Sequence, residues 1–129
     1  MIENSFPEEI INLTIILEES PQGLRQEIKK NKNRYQLLRF QLDNTARGKN
    51  RIRLLKQKVF LFTQIIIRQR LLRKKILTEI DYFQLEDITC KKFQGLLSQK
   101  FIQQTFLNNW MAVKAEEIQK ATDYQLKNH

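Results

Sequence analysis

Nine cations in two runs are the residues of this chain best suited to chemistry: Arg47, Lys49, Arg51 and Arg53, then Arg68, Arg70, Arg73, Lys74 and Lys75. A guanidinium group offers planar, two-pronged contact to phosphate, and an ammonium group adds a mobile point charge. The chemistry these residues could do is polyanion binding, in which each phosphate contact releases counterions and makes affinity salt-dependent. No helix-turn-helix or zinc pattern accompanies them. Contact with nucleic acid would therefore run through the phosphate backbone, with little reading of bases.

The surrounding charge supports that expectation. Residues 21–80 carry 17 Lys or Arg against Glu27, Asp43 and Glu79, a net +14. Residues 1–20 hold five Glu and no base, a net −5, while residues 81–129 balance, so the chain totals +9. A field this concentrated attracts polyanions. No acid stands between residues 44 and 78, and like charges one helical turn apart destabilise a lone helix by a few tenths of a kcal/mol each. An external anion would relieve that repulsion. The plain alternative is a solvated face that keeps a helical protein soluble. Glu3, Glu8, Glu9, Glu18 and Glu19 could lie against the basic helices or dock a basic neighbour. The preference of Glu for helix N-termini explains Glu8 and Glu9 but not Glu18 and Glu19.

Other chemistry finds little support. His129 is the only histidine, and a general base or metal ligand would have to be built on it alone. Lys91 and Lys92 follow Cys90 and could lower its pKa, but with no histidine partner a half-buried inert thiol is the simpler reading. Asp81, Glu86 and Asp87 match no metal-binding loop. Gly23, Gly48 and Gly95 are isolated, so there is no phosphate-cradling loop. No enzyme, metal or cofactor is expected. Tyr35, Phe40, Phe60, Phe62, Tyr82, Phe83, Phe93, Phe101, Phe106 and Trp110 could in principle stack on bases, but most fall on apolar helical faces, so core packing is the expectation. Tyr35, beside Arg34, is the exception that could stack on a base. Asn12-Leu13-Thr14 matches a glycosylation sequon by chance. Lys29–Arg34 and Arg68–Lys75 resemble nuclear-localisation clusters only weakly.

The elements that must position these residues are helices. At 129 residues with three Gly and two Pro, one domain with few turns is expected. The fold class is all-α: four to five helices built around a long antiparallel hairpin. Residues 1–20 form an acidic first helix, residues 21–80 the basic hairpin and residues 81–129 the C-terminal helices. Ser5 and Glu8 read as a capping box for a helix to about Glu19, with a strand over its Ile-rich core as the alternative. Pro21 opens the next element, whose seam of Leu24, Ile28, Asn31, Tyr35, Leu38, Leu42 and Thr45 has heptad spacing.

Ala46-Arg47-Gly48-Lys49-Asn50 is the expected turn, with Asn50 as the following cap; one helix running through Gly48 is the alternative. A second seam runs Ile52, Leu55, Val59, Phe62, Ile66, Gln69, Arg73, Ile76, Ile80 and Phe83. Leu54, Phe60, Leu61, Ile65, Ile67, Leu71, Leu72 and Leu77 lie off it, so the middle of this helix is apolar nearly all round and belongs at a bundle centre or an oligomer interface. Asp87 or Thr89 would cap a short helix ending near Gly95, and Ser98 would cap the last helix, to about Leu126.

The expectation is a non-enzymatic accessory subunit that binds RNA or DNA. The alternative is a helical adaptor on an acidic protein partner. Apolar residues 59–67 favour a homo-oligomer or docking on a larger subunit. Membrane attachment is weaker, because the apolar residues are needed for the core and nine of them cannot span a bilayer. A single cysteine and an acidic opening stretch point to an intracellular, cytoplasmic protein, with nuclear placement open.

Overall fold

The computed structural model describes residues 21–43 and 49–127. These form four α-helices and no strand: α1 (Pro21–Asp43), α2 (Lys49–Lys74), α3 (Glu79–Lys92) and α4 (Gln99–Lys127). The helix expected over Ser5–Glu19 and the turn residues Ala46, Arg47 and Gly48 lie outside the described residues.

Pro21 opens α1, where its fixed φ suits a first turn whose N–H groups have no intrahelical partner. The heptad spacing identifies the buried stripe: Ile28, Asn31, Leu38 and Leu42 are buried, Leu24 and Tyr35 half-buried. Asn31 is not a flaw in that stripe, because its Nδ2 donates to Gln64 Oε1 at 3.3 Å. Leaving such an amide buried and unpaired would cost about 1–3 kcal/mol. Further along, the Tyr35 ring meets Phe62 at 6.4 Å and the Leu42 carbonyl accepts from Arg51 at 3.1 Å. As numbers rise along α1, their partners on α2 fall. Asn31 and Gln64 are 33 residues apart; an uninterrupted helix would hold them about 50 Å apart. α1 and α2 are therefore two helices rather than one straight one. Because α2 already includes Lys49, Asn50 sits inside its first turn rather than at its cap.

α2 touches each of the other three helices. Every residue from Leu61 to Arg68 is buried or half-buried. Leu54, Leu61, Ile65 and Ile67 bury as fully as the seam residues Leu55 and Val59, while Ile52 is exposed. A helix with neighbours on several sides buries more than one stripe. Each fully buried aliphatic side chain contributes about 1.5–3 kcal/mol. One cluster joins Leu38, Leu42, Leu54, Leu55 and Leu61 across α1 and α2. A second joins Val59, Phe93 and Ile102, and a third joins Ile67, Leu77, Leu85, Phe106, Trp110 and Val113. Inside this apolar interior, Asn109 Nδ2 donates to Thr63 Oγ1 at 2.6 Å and to the Thr105 carbonyl at 2.9 Å. Thr63 in turn donates to the Phe60 carbonyl. This chain leaves no partner in the group unsatisfied and ties α2 to α4 at one register.

The second seam does not continue to Phe83. α2 ends at Lys74, Lys75 takes φ 67°, and α3 starts after Thr78. Ile76, Ile80 and Phe83 are exposed instead of buried, whereas Leu77 is buried. The cause is local. Thr78 and Asp81 form a capping box in which each side chain accepts from the other's backbone N–H, and that reciprocal bonding restarts the helix in a new direction. Asp87 and Thr89 are therefore not caps. Thr89 lies within α3 and donates to the Leu85 carbonyl, and Asp87 pairs with Lys91 at 2.9 Å. At the other end of α3, Gly95 takes φ 80°, which a side chain would oppose. Ser98 Oγ then accepts from the Phe101 N–H at 3.2 Å, the cap expected for α4.

Candidate nucleic-acid interface

The nine expected phosphate-binding residues fall into distinct environments. Arg47 lies outside the described residues, and Lys49 opens α2. Arg51 is half-buried and donates to the Leu42 carbonyl. Arg53 is exposed and borders a groove with Lys56, Phe60 and Phe101. Arg73 and Lys75 are exposed.

Three members of the second run turn to carboxylates of the chain itself. Arg68 is mostly buried, with Nη2 3.7 Å from Glu116 Oε2. Arg70 Nη1 donates to Asp81 Oδ1 and to Gln84 Oε1, each at 2.8 Å. Lys74 Nζ donates to both Asp81 oxygens at 3.0 and 2.9 Å. Asp81 is fully buried and also accepts from the Thr78 N–H and hydroxyl at 2.9 and 2.8 Å. Burial pushes the Asp81 carboxyl up. The hydrogen bonds from the Thr78 backbone, Lys74, Arg70 and the Thr78 hydroxyl outweigh it and hold the group well below the usual carboxylate range. Arg70 and Lys74 are thus clasped to the break between α2 and α3.

A more continuous cationic surface lies on α1, among residues outside the nine. Arg25, Lys29, Lys32, Gln36 and Arg39 repeat in steps of four and three, which places them on one flank of the helix beside its buried stripe. All five are exposed. At the rise of an α-helix the row from Arg25 to Arg39 is about 21 Å long. Arg25, Lys29 and Lys32 line a groove of about 460 Å³ with Ile28, Asn33, Gln36 and, from α2, Gln69 and Leu72. Alongside Arg39, two cations from other helices approach this row. Lys58 of α2 lies 5.1 Å above the Tyr35 ring, and Lys92 of α3 lies 5.7 Å above the Phe62 ring that Tyr35 contacts.

Burial lowers the Lys58 pKa, and the charges of Lys92 and Arg39 lower it further; Asp43 opposes them. The charges of Lys92 and Arg39 are thus felt at Lys58, with Asp43 partly offsetting them. Among the described residues, none of Arg25, Lys29, Lys32, Arg39 and Lys92 is within ion-pair distance of a carboxylate. The 4-3-4-3 spacing of the α1 row was the signal in the sequence. The approach of Lys58 and Lys92 to it had none, because it depends on how α3 packs.

Three smaller expectations are corrected. Tyr35 is not presented for stacking on a base. It is half-buried against Phe62 beneath Lys58, and burial pushes its pKa up. Among the described residues Phe40, Phe60 and Phe83 are exposed, contrary to the core placement expected for them. Cys90 is half-buried, as expected, but its thiol pKa is raised by burial and then by Glu86 and Asp87. Those acids lie on its own helix, and they and burial decide the direction rather than the lysines that follow it.

Among the described residues no group of three or more His, Cys, Asp or Glu could hold a metal ion, and no helix is long and apolar enough to cross a membrane. No family model, no curated protein and no solved structure matches this chain.

Proposed function

We propose that this chain is a non-enzymatic accessory subunit that binds RNA or DNA through phosphate-backbone contacts, with little sequence specificity. The observation that carries this reading is the row Arg25, Lys29, Lys32 and Arg39 on α1, approached by Lys58 and Lys92. Helical rows of cations touch phosphates without reading bases. In this reading α1 and α2 form an antiparallel hairpin at the heart of a helical bundle, and the hairpin's flank is the binding surface. Arg53, Arg73 and Lys75 extend the field, while Arg68, Arg70 and Lys74 act mainly in holding the fold.

Filter binding of a labelled DNA duplex and a labelled RNA strand in rising salt tests it. With three duplex phosphates neutralised, affinity falls about 40-fold between roughly 50 and 200 mM salt. Affinity that barely changes over that range defeats the reading.

A second reading is favoured by the opposite flank of α1. There Arg34, Leu37, Gln41, Gln57 and Phe60 border an open, largely apolar groove, and Leu37 and Phe60 are exposed. An adaptor docking an acidic protein partner would use such a surface, alone or as a member of a homo-oligomer or larger complex. A stoichiometric protein partner that survives nuclease treatment is its signature.

A further inference from the structure

We infer that residues 1–20 of the chain dock into the groove between α1 and α2 lined by Arg25, Ile28, Lys29, Lys32, Gln69 and Leu72, and compete there with nucleic acid for the cationic row. The competition rests on the phosphate-binding reading above; the docking does not.

Three observations converge on this occupant. The first is charge. The segment carries five Glu and no base, and the groove carries Arg25, Lys29 and Lys32 with no carboxylate in its lining. The second is connection. The segment leads directly into Pro21, the first residue of α1, and the groove begins four residues later at Arg25. The third is reach. A turn of a few residues before Pro21 leaves well over ten residues of the segment, more than enough to span the roughly 10 Å from Arg25 to Lys32 along α1. In that segment the apolar stretch Ile10–Leu17 is flanked by Glu8 and Glu9 on one side and by Glu18 and Glu19 on the other. Acids at both ends and aliphatics in the middle match a groove that is basic along its edge and apolar at its floor.

Cross-linking in the full-length protein tests the docking. In a Cys90→Ser background, Leu13→Cys is paired with Gln69→Cys, and as a second, independent pair Glu8→Cys with Asn33→Cys. Mild oxidation is expected to give an intrachain disulfide, seen as a faster-migrating monomer, in at least one pair whose helicity matches the parent. If neither folded variant closes a bond within the chain, the docking is wrong. Bonds only between chains also overturn it, because the groove would then take a second copy's segment.

Competition is read separately by titrating Glu8→Gln/Glu9→Gln/Glu18→Gln/Glu19→Gln with the labelled DNA duplex at low salt. Affinity tightening by about threefold or more supports it, and unchanged affinity overturns it. If the parent and the variant both fail to bind while the disulfide forms, the phosphate reading fails and the docking stands.

Discussion

The two basic regions of this protein carry similar charge and put it to different use. Arg70 and Lys74, near the end of α2, converge on the buried carboxylate of Asp81 and hold the chain where it turns into α3. Arg25, Lys29 and Lys32, on the flank of α1, are exposed above a groove whose lining has no carboxylate, and none of them is within ion-pair distance of a described one. A buried ion pair acts on the fold, since removing one partner strands the other. An exposed, uncompensated row acts on whatever anion approaches. A count of lysines and arginines cannot distinguish these roles, because the difference lies in a single acid delivered by another helix.

Substitutions can break this comparison. The largest effect is expected from Asp81→Ala, which strands Arg70 and Lys74 and removes half of the α3 capping box. Stability should fall by about 3 kcal/mol, measured by urea unfolding followed by circular dichroism; a loss below about 1 kcal/mol would mean the clasp is incidental. The same residue predicts a pH dependence. Its carboxyl pKa is depressed in the folded state, so its contribution is fully present above the unfolded value of about 3.9 and drains away as pH falls below that. The parent should lose stability on acidification below about pH 4 more steeply than Asp81→Ala.

Next in size is the contrast between the regions themselves. Arg25→Glu/Lys29→Glu/Lys32→Glu should weaken binding to the labelled duplex at least about tenfold and lower the salt slope by about three. Its unfolding midpoint should move little, because all three residues are exposed. Arg70→Gln/Lys74→Gln should do the reverse, losing stability and keeping most affinity. Equal loss of affinity in both variants would erase the distinction. The smallest effect is expected at Glu116→Gln. Its contact with Arg68 is long, at 3.7 Å, and the Glu116 side chain is 61% exposed. The cost should stay under about 0.5 kcal/mol; a larger one would show that Arg68 is held more firmly than its geometry indicates.

Much of the fold was legible in the residues. Heptad spacing located the buried face of α1, including Asn31, because a regular helix turns spacing directly into direction. Pro21 and Ser98 marked helix starts for the same local reason. The break after Lys74 is marked by Thr78-x-x-Asp81, but the apolar seam runs through that point unbroken, so periodicity alone hides it. The candidate surface was legible only in part. Concentration of charge was plain, but two of the nine expected residues, Arg70 and Lys74, are clasped by Asp81, which spacing alone does not reveal.

By itself the sequence determined that the chain is helical, where α1 buries its side chains, and that positive charge gathers in residues 21–80. These follow from local rules: backbone preference, period and composition. The tertiary structure alone decided which cations face solvent and which are clasped, and that Lys58 and Lys92 meet over the contacting rings of Tyr35 and Phe62. Those outcomes depend on distances between residues far apart in the chain, and electrostatic interaction depends on distance in space, which order along the chain does not specify.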